Sequence, residues 1–343
     1  MIRSLLALTT LAILAVACGD DDTSTSTPSA SPMPTASLVF PGLESPEWHT
    51  RAPVPTPRSE VAVAELDGFM FVIGGFGPDR SPSTAVEVYN PATETWSAAA
   101  PLPQPRHHAA AVSLDGKLYV FGGYSASFRA PTSTVFVYDR TTDAWTELEG
   151  MPRIRGAHAA AVLDRRIYLV GGATTGPNDA PENVAEVDVF DPVTNQWTEA
   201  APLQTPRDHL GVAVVERRIY AIGGREQLDY GRNLPTNEAY NPGEDVWTLE
   251  TPLPTARSGL AVAASVDGFI YAVGGEGPDG TFDEVEVFSP TSGTWNESAP
   301  LTTPRHGMGA AVLSNQLFIP AGGPTTGFSV TAANEALGPL VSY

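Results

Sequence analysis

Apolar residues along this chain come in short runs at even intervals. Six of them, FMFVI, LYVF, IYLV, IYAI, FIYAV and LFIPA, each lead into a Gly-Gly pair whose first residue is 74, 122, 171, 223, 274 or 322, about fifty residues apart. Runs of this length, apolar on both sides, predict strands buried on both faces rather than amphipathic helices. Upstream of each lies a stretch of small residues such as EVAVA, HHAAAV or HLGVAV, headed by an arginine: Arg58, Arg106, Arg155, Arg207, Arg257 and Arg305. Between the two strands, Asp67-Gly68, Asp115-Gly116 and Asp267-Gly268 supply the positive-φ dipeptide that tight hairpins prefer. Downstream, a third run ends in Tyr or Phe (VEVYNP, VFVYDR, VDVFDP, EAYNP, VEVFSP), and seven residues after that aromatic a tryptophan opens a fourth strand, at 96, 145, 197, 247 or 295.

The spacing is nearly fixed on one side of each unit and loose on the other. From every tryptophan, Trp48 included, the next heading arginine is ten residues on, and from that arginine to the first Gly of the pair is 16 or 17. From the second Gly to the third-strand aromatic the distance is 14, 15, 18, 16 and 13, then 14 to Leu337 in the last unit. Calling the four strands a to d, length variation therefore sits in the b–c loop. Seven residues past Leu337 lies beyond Tyr343, so the last unit lacks its own tryptophan strand. Trp48 carries the spacing of that missing strand and predicts that an N-terminal strand completes the C-terminal unit.

The apolar run, Gly-Gly, Tyr-x-Pro and Trp at a period near fifty resemble kelch repeats, over residues 47–343. The resemblance implies an all-β fold: a six-bladed kelch β-propeller of four-stranded antiparallel blades, its ring closed by the strand around Trp48. Composition agrees, with 32 Gly, 32 Pro and only 17% charged residues, and 42% apolar residues suffice for a core. Strand a, nearest the axis, takes Ala, Gly and Val, and Trp fills the wedge between blades. Pro320 departs from the pattern, because proline cannot donate to a ladder, and predicts a local irregularity in the sixth blade.

The N-terminus reads differently. Residues 1–17 combine Arg3, an apolar run from Leu5 to Ala17 and small residues before Cys18, the build of a secretory signal too short to span a bilayer. Leu14-Ala15-Val16-Ala17-Cys18 resembles a bacterial lipobox, with Ala15 where Leu is more usual, which implies cleavage before Cys18 and lipidation of that residue, the sole cysteine. Residues 18–46 are a Ser/Thr/Pro-rich tether, too polar to bury a core. The expectation is an exported protein, lipid-anchored to a bacterial membrane and touching it only through the N-terminal lipid. A formal charge of −20 argues against nucleic-acid partners.

In such a blade the d–a links and b–c loops share one face, which places the six arginines there. Five of the six histidines follow them closely: His107, His108, His158, His209 and His306. One reading makes Arg58, Arg106, Arg155, Arg207, Arg257 and Arg305, with His158 and His209, a cationic rim for an anionic small ligand. The other makes residues repeated in every unit structural, tying neighbouring blades. The long loops ATTGPNDAPENVAE and REQLDYGRNLPTN break the repeat most; Arg225, Glu226, Asp229, Tyr230 and Arg232 in the second put both charge signs and an aromatic together, as a specificity site would. No metal is expected, since the histidine offsets scatter and GPDGTFDE lacks EF-hand spacing, and no cofactor is expected. These features favour a monomeric module binding a protein or glycan partner over an enzyme. The alternative is a carbohydrate-active enzyme of the N-acetylneuraminate epimerase (mutarotase) type rather than a copper oxidase, whose Cys-Tyr cross-link would need the cysteine assigned to lipidation.

Overall fold

The computed structural model describes residues 46–340, so the leader, Cys18 and nearly all of the tether lie outside the described residues. Six four-stranded antiparallel sheets make up the fold. Their a strands are Ala62–Leu66, Ala110–Leu114, Ala159–Leu163, Gly211–Val215, Ala261–Ala264 and Ala311–Leu313. The b strands are Phe69–Ile73, Lys117–Phe121, Arg166–Val170, Arg218–Ile222, Ile270–Val273 and Gln316–Pro320. The c strands are Val86–Asn90, Val135–Asp139, Val187–Asp191, Asn237–Asn241, Val285–Ser289 and Asn334–Gly338. Outermost are Thr95–Ala98, Ala144–Leu148, Gln196–Ala200, Val246–Leu249 and Thr294–Glu297, and in the sixth sheet the N-terminal Glu47–Thr50. Among the described residues the one helical turn is a 3₁₀ turn at Pro177–Asp179. The b–c loops of blades three, four and five carry small two-stranded ribbons of their own.

The b and c strands are buried on both faces because a neighbouring blade covers each side, and the six hydrophobic clusters fall between successive blades. The tryptophans mark the outer wall of these seams. Trp96, Trp145, Trp197, Trp247 and Trp295 pack, rings tilted, at 4.8–5.2 Å from Tyr89, Tyr138, Phe190, Tyr240 and Phe288 of the adjacent c strand. All but Trp197 also reach sideways: Trp96 Nε1 donates to the Ala52 carbonyl, Trp145 to Ala100, Trp247 to Ala201 and Trp295 to Thr251, at 2.8–2.9 Å. The acceptor is the residue four beyond the previous blade's tryptophan. Trp48 makes the same bond to Ala299, at 2.8 Å and 251 residues away, and pairs with Leu337 in the ladder.

The heading arginines hold each blade together rather than neighbouring ones. Arg207 Nε donates to the Gly223 carbonyl at 2.8 Å, Nη2 to Ala221 at 2.8 Å and Nη1 to Glu238 at 2.6 Å, so one guanidinium joins strands a, b and c of blade four. Glu87, Asp188, Glu286 and Glu335 do the same for Arg58, Arg155, Arg257 and Arg305. In blade two Phe136 replaces the acid; Arg106 lies over its ring at 5.5 Å and turns to the Thr134 hydroxyl and the Gln104 side chain instead. The arginine's own carbonyl serves the neighbour. Second-Gly amides donate across the seam, Gly75 to Arg106, Gly123 to Arg155, and so on round to Gly322 and Arg58, at 2.8–3.0 Å. A Cβ on Gly74 would stand 2.5 Å from the Arg106 carbonyl oxygen, which is why a glycine sits at that crossing.

Blade six is irregular, as Pro320 predicts, and its register differs from the sequence reading. Ala321 (φ 61°) and Gly322 (φ 100°) take the places held in blade one by Gly74 and Gly75, with Ala321 donating to Ala333 and Gly322 to Arg58. Gly323 therefore stands where Phe76 stands in blade one. Pro320 has no N–H to offer strand a, and that strand is confined to Ala311–Leu313.

Two outcomes follow from this packing. Deleting residues 44–53 lowers the melting temperature of the whole domain, and Trp48→Ala costs roughly 2 kcal/mol, below the range of a fully buried tryptophan because Trp48 is only partly buried; an unchanged melting temperature for the deletion contradicts the closure. Glu238→Ala strands the Arg207 guanidinium without its counter-charge and costs about 3–5 kcal/mol in urea unfolding. Breaking the exposed Arg165–Asp115 pair costs under about 1 kcal/mol. Equal losses in the two variants would show that the buried arginines do not organise the blades.

Candidate functional site

The six strands a enclose a central channel, whose cavity of ≈ 180 Å³ is lined by Ala, Val and Gly along its length. Its mouth is made by the two residues after each heading arginine. The second of these, Glu60, His108, Ala157, His209, Gly259 and Gly307, has φ between 52° and 63° in every blade. That left-handed step turns each amide toward the previous blade: His108 N donates to Glu60 O, Ala157 to His108, His209 to Ala157, Gly259 to His209 and Gly307 to Gly259, at 2.9–3.0 Å. Val61 N completes the circle on Gly307 O at 3.3 Å. The first residue pairs with the one after the glycine pair, giving Ser59–Phe76, His107–Tyr124, Gly156–Ala173, Asp208–Arg225, Ser258–Glu276 and His306–Gly323. Backbone thus fixes the mouth, and side chains at these positions are free to carry chemistry.

The side chains divide the mouth into a charged part and an aromatic part. Asp208 Oδ1 accepts from His209 Nδ1 at 2.6 Å, and His209 Nε2 faces Arg225 Nη2 at 2.8 Å. Arg225 pairs with Glu276 at 2.5 Å and approaches Asp208 at 3.4 Å. Glu60 bridges two histidines, with Oε2 3.0 Å from His108 Nε2 and Oε1 3.3 Å from His306 Nε2. His107 is sandwiched between Phe76, at 3.9 Å, and Tyr124, at 5.3 Å, and its Nδ1 lies 2.6 Å from His108 Nδ1. Phe128 from the blade-two loop packs edge-on at 4.9 Å from His108, while Phe328 from the blade-six loop stands 5.9 Å from Phe76.

Burial sets the protonation states. It drives His107 down to about 2, helped by His108, and His209 down to about 4, helped by Arg225. Burial pushes Glu60 up, but His108 and His306 outweigh it and hold its carboxyl well below the usual range. The same Glu60 carboxylate, with Glu276, raises His306 against its own burial. Glu60, His108 and His209 present ligand atoms within 4.8 Å of one another, as do Glu60, Glu276 and His306, so the mouth holds donor sets of the kind that bind a metal.

The sequence-predicted residues are distributed unevenly over this site. The six heading arginines do not ring the mouth: all are buried, with their guanidinium groups turned into their own blades, where in five of the six strand c supplies a carboxylate. His209 is at the mouth; His158, three residues after its arginine rather than one or two, is buried in the channel wall. On the blade-four ribbon, Glu226 and Arg232 pair with each other, and Tyr230 stands 5.9 Å from the Arg225 guanidinium. The blade-three loop reaches the site through Asn183, which donates to Asp208 at 2.6 Å. Sequence reasoning passed over Glu60, Asp208 and Glu276, and had Arg225 as part of the blade-four loop rather than of the channel mouth. The available signal was positional, since all four occupy one of three places, one or two after the arginine or one after the glycines.

His158 gives a pH-dependent outcome. Neither ring nitrogen has a partner among the described residues, and burial holds its pKa well below the free value of 6.5. The unfolded chain therefore binds a proton that the folded chain refuses, so this histidine destabilises the fold progressively as pH falls below about 6.5, by at most about 1.4 kcal/mol per pH unit. His158→Leu flattens the fall in melting temperature between pH 6.5 and 5; a variant that tracks the parent over that range contradicts the assignment.

Residues 35–224 match the KLHDC2/KLHL20/DRC7 Kelch-repeats domain, and residues 206–254 and 257–302 each match the Kelch motif. The chain is 32% identical over 152 residues to Kelch-like protein terF of Aspergillus terreus, 43% of this chain and 32% of that one. It is 57% identical over 35 residues to Kelch-like ECH-associated protein 1A of Danio rerio, 10% of this chain and 6% of that one. The chain thus spans a third or less of these relatives. Among solved structures, one described as "Structure of YjhT" superposes with a TM-score of 0.72 at 19% identity, over 83% of this chain and 95% of that one, a likeness of fold. Repeat, blade geometry and family match agree, and the chain belongs to the kelch-repeat family.

Proposed function

We propose that this chain is an exported, membrane-anchored binding module that takes a protein or glycan partner on its b–c loop face. The observation that carries this reading is the placement of Phe128 and Tyr230, 40% and 39% exposed, over the channel-mouth cluster. Large aromatics half exposed beside a polar, charged floor are the anchors that recognition surfaces use. Phe328, under the Arg80 guanidinium at 4.7 Å, extends the same surface. Glycan partners suit it as well as proteins, because aromatic rings stack on sugar faces while Asp, Glu and Arg take hydroxyls and carboxylates. Anchoring rests on the sequence, through the lipobox-like residues before Cys18, with residues 18–46 as spacer.

A second reading, the mutarotase-type enzyme, draws on the Asp208–His209–Arg225 group. An imidazole whose Nδ1 proton is held by a buried carboxylate presents Nε2 as a base, and a neighbouring guanidinium would grip a sugar acid. Anomer exchange of sialic acid followed by NMR decides it, with His209→Ala abolishing any acceleration.

The binding reading is tested by placing a photo-crosslinking residue at 128, 230 or, as an opposite-face control, 266, where Val266 is 81% exposed in an a–b turn. Crosslinks or glycan-array signal specific to positions 128 and 230, lost on Phe128→Ala and Tyr230→Ala with the melting temperature retained, are the expected result. Equal labelling from position 266 would sink it. Fatty-acid labelling of the full chain, abolished by Cys18→Ala, tests the anchor separately.

A further inference from the structure

We propose that Glu60, His108 and His209 form a binding site for a divalent first-row transition ion of the Zn²⁺ class at the mouth of the central channel. Two observations carry it independently of the loop-face reading. The first is geometry: three residues from blades one, two and four present ligand atoms within 4.8 Å of one another. His108 Nε2 and Glu60 Oε2 are already 3.0 Å apart, close to the roughly 3.3 Å between neighbouring ligands in a tetrahedral site with bonds of about 2.0–2.1 Å. Two imidazoles and one carboxylate are a ligand set suited to zinc or non-haem iron, and three protein ligands leave a position open to the channel.

The second is the hydrogen-bond logic of the two imidazoles. His209 Nδ1 donates to Asp208 Oδ1 at 2.6 Å, which leaves its Nε2 with a lone pair, met here by Arg225 Nη2 at 2.8 Å. The Ala126 carbonyl, 3.3 Å from His107 Nε2, can only accept, so His107 carries its proton there and its Nδ1 accepts from His108 Nδ1 at 2.6 Å. With that tautomer His108 Nε2 is a lone pair aimed at the Glu60 carboxylate 3.0 Å away, two donor atoms converging as the ligands of one ion do. Both histidines thus have an outer partner fixing the ligating nitrogen, the arrangement that metal-binding imidazoles need.

Charge favours the same occupant. Arg225 pairs with Glu276 and Asp208, whereas Glu60 faces the imidazoles of His108 and His306 rather than a guanidinium, so its carboxylate is placed to take a cation. Arg225 Nη2 lies on His209 Nε2 at 2.8 Å and gives that contact up on binding. Its Glu276 and Asp208 contacts, at 2.5 and 3.4 Å, keep the guanidinium in place.

Titrating the purified full chain in metal-free buffer with Zn²⁺ and Co²⁺ tests the site. The expected result is one ion per chain and a four-coordinate Co²⁺ visible spectrum. His108→Ala and His209→Ala weaken binding at least 100-fold, Asp208→Asn weakens it about 10- to 100-fold through the lost outer partner, and His49→Ala, on the exposed outer strand, leaves it unchanged. X-ray absorption of the Zn²⁺-loaded parent chain needs no variant to fold, and is expected to show imidazole scattering from two histidines. No uptake at stoichiometric metal, an oxygen-only shell, or folded His108→Ala and His209→Ala variants that keep parent affinity each overturn the proposal.

Discussion

Each blade depends on one buried arginine that serves two blades at once. Its guanidinium joins strands a, b and c of its own sheet, and its carbonyl receives an amide from the glycine pair of the blade before. Burying a guanidinium is tolerable only when its charge and donors are met, and strand c meets them with an acid in five blades. Blade two shows how narrow the alternatives are. With Phe136 in the acid's place, Arg106 keeps its station by cation–π contact and neutral hydrogen bonds.

Because arginine and glycines settle the seam, the two residues after the arginine are released from structural duty. Their backbone is fixed in a left-handed turn and a six-membered circle of amide bonds, while their side chains differ from blade to blade. Blades one, two, four, five and six contribute Glu60, the His107–His108 pair, Asp208–His209, Glu276 and His306, and blade three contributes Gly156 and Ala157. A regular scaffold thus presents an irregular mouth. Groups far apart in sequence come within hydrogen-bond reach there, which makes their mutual electrostatics strong and their loops the natural place for recognition.

The repeat reads directly from the chain because every unit faces the same packing problem, and fixed spacing from Trp to Arg to Gly reports fixed strand lengths. Even the N-terminal strand is legible in this way: Trp48 has the repeat's spacing, the ladder pairs it with Leu337, and its indole makes the bond that four other tryptophans make. Pro320 likewise announces a ladder that cannot continue. Where counting failed was blade six, whose glycine pair is read one residue late, because Ala321 adopts the left-handed conformation that glycine holds elsewhere.

The site was legible only in its parts. Spacing pointed to arginines and histidines on one face, yet cannot say which way a side chain turns, and the heading arginines turn into the blade because their charge is met there. The acids that meet it are visible as a recurrence two residues before the third-strand aromatic or Leu337 in every unit but the second, a pattern without meaning until strands a and c are placed together. Glu60, Asp208, Arg225 and Glu276 look like ordinary surface charges in a chain of formal charge −20. Sequence determined the blades, their number and their order, since local periodicity encodes strands and seams. Closing six blades into a ring decided which side chains share the channel mouth, since only that closure brings together residues more than a hundred positions apart.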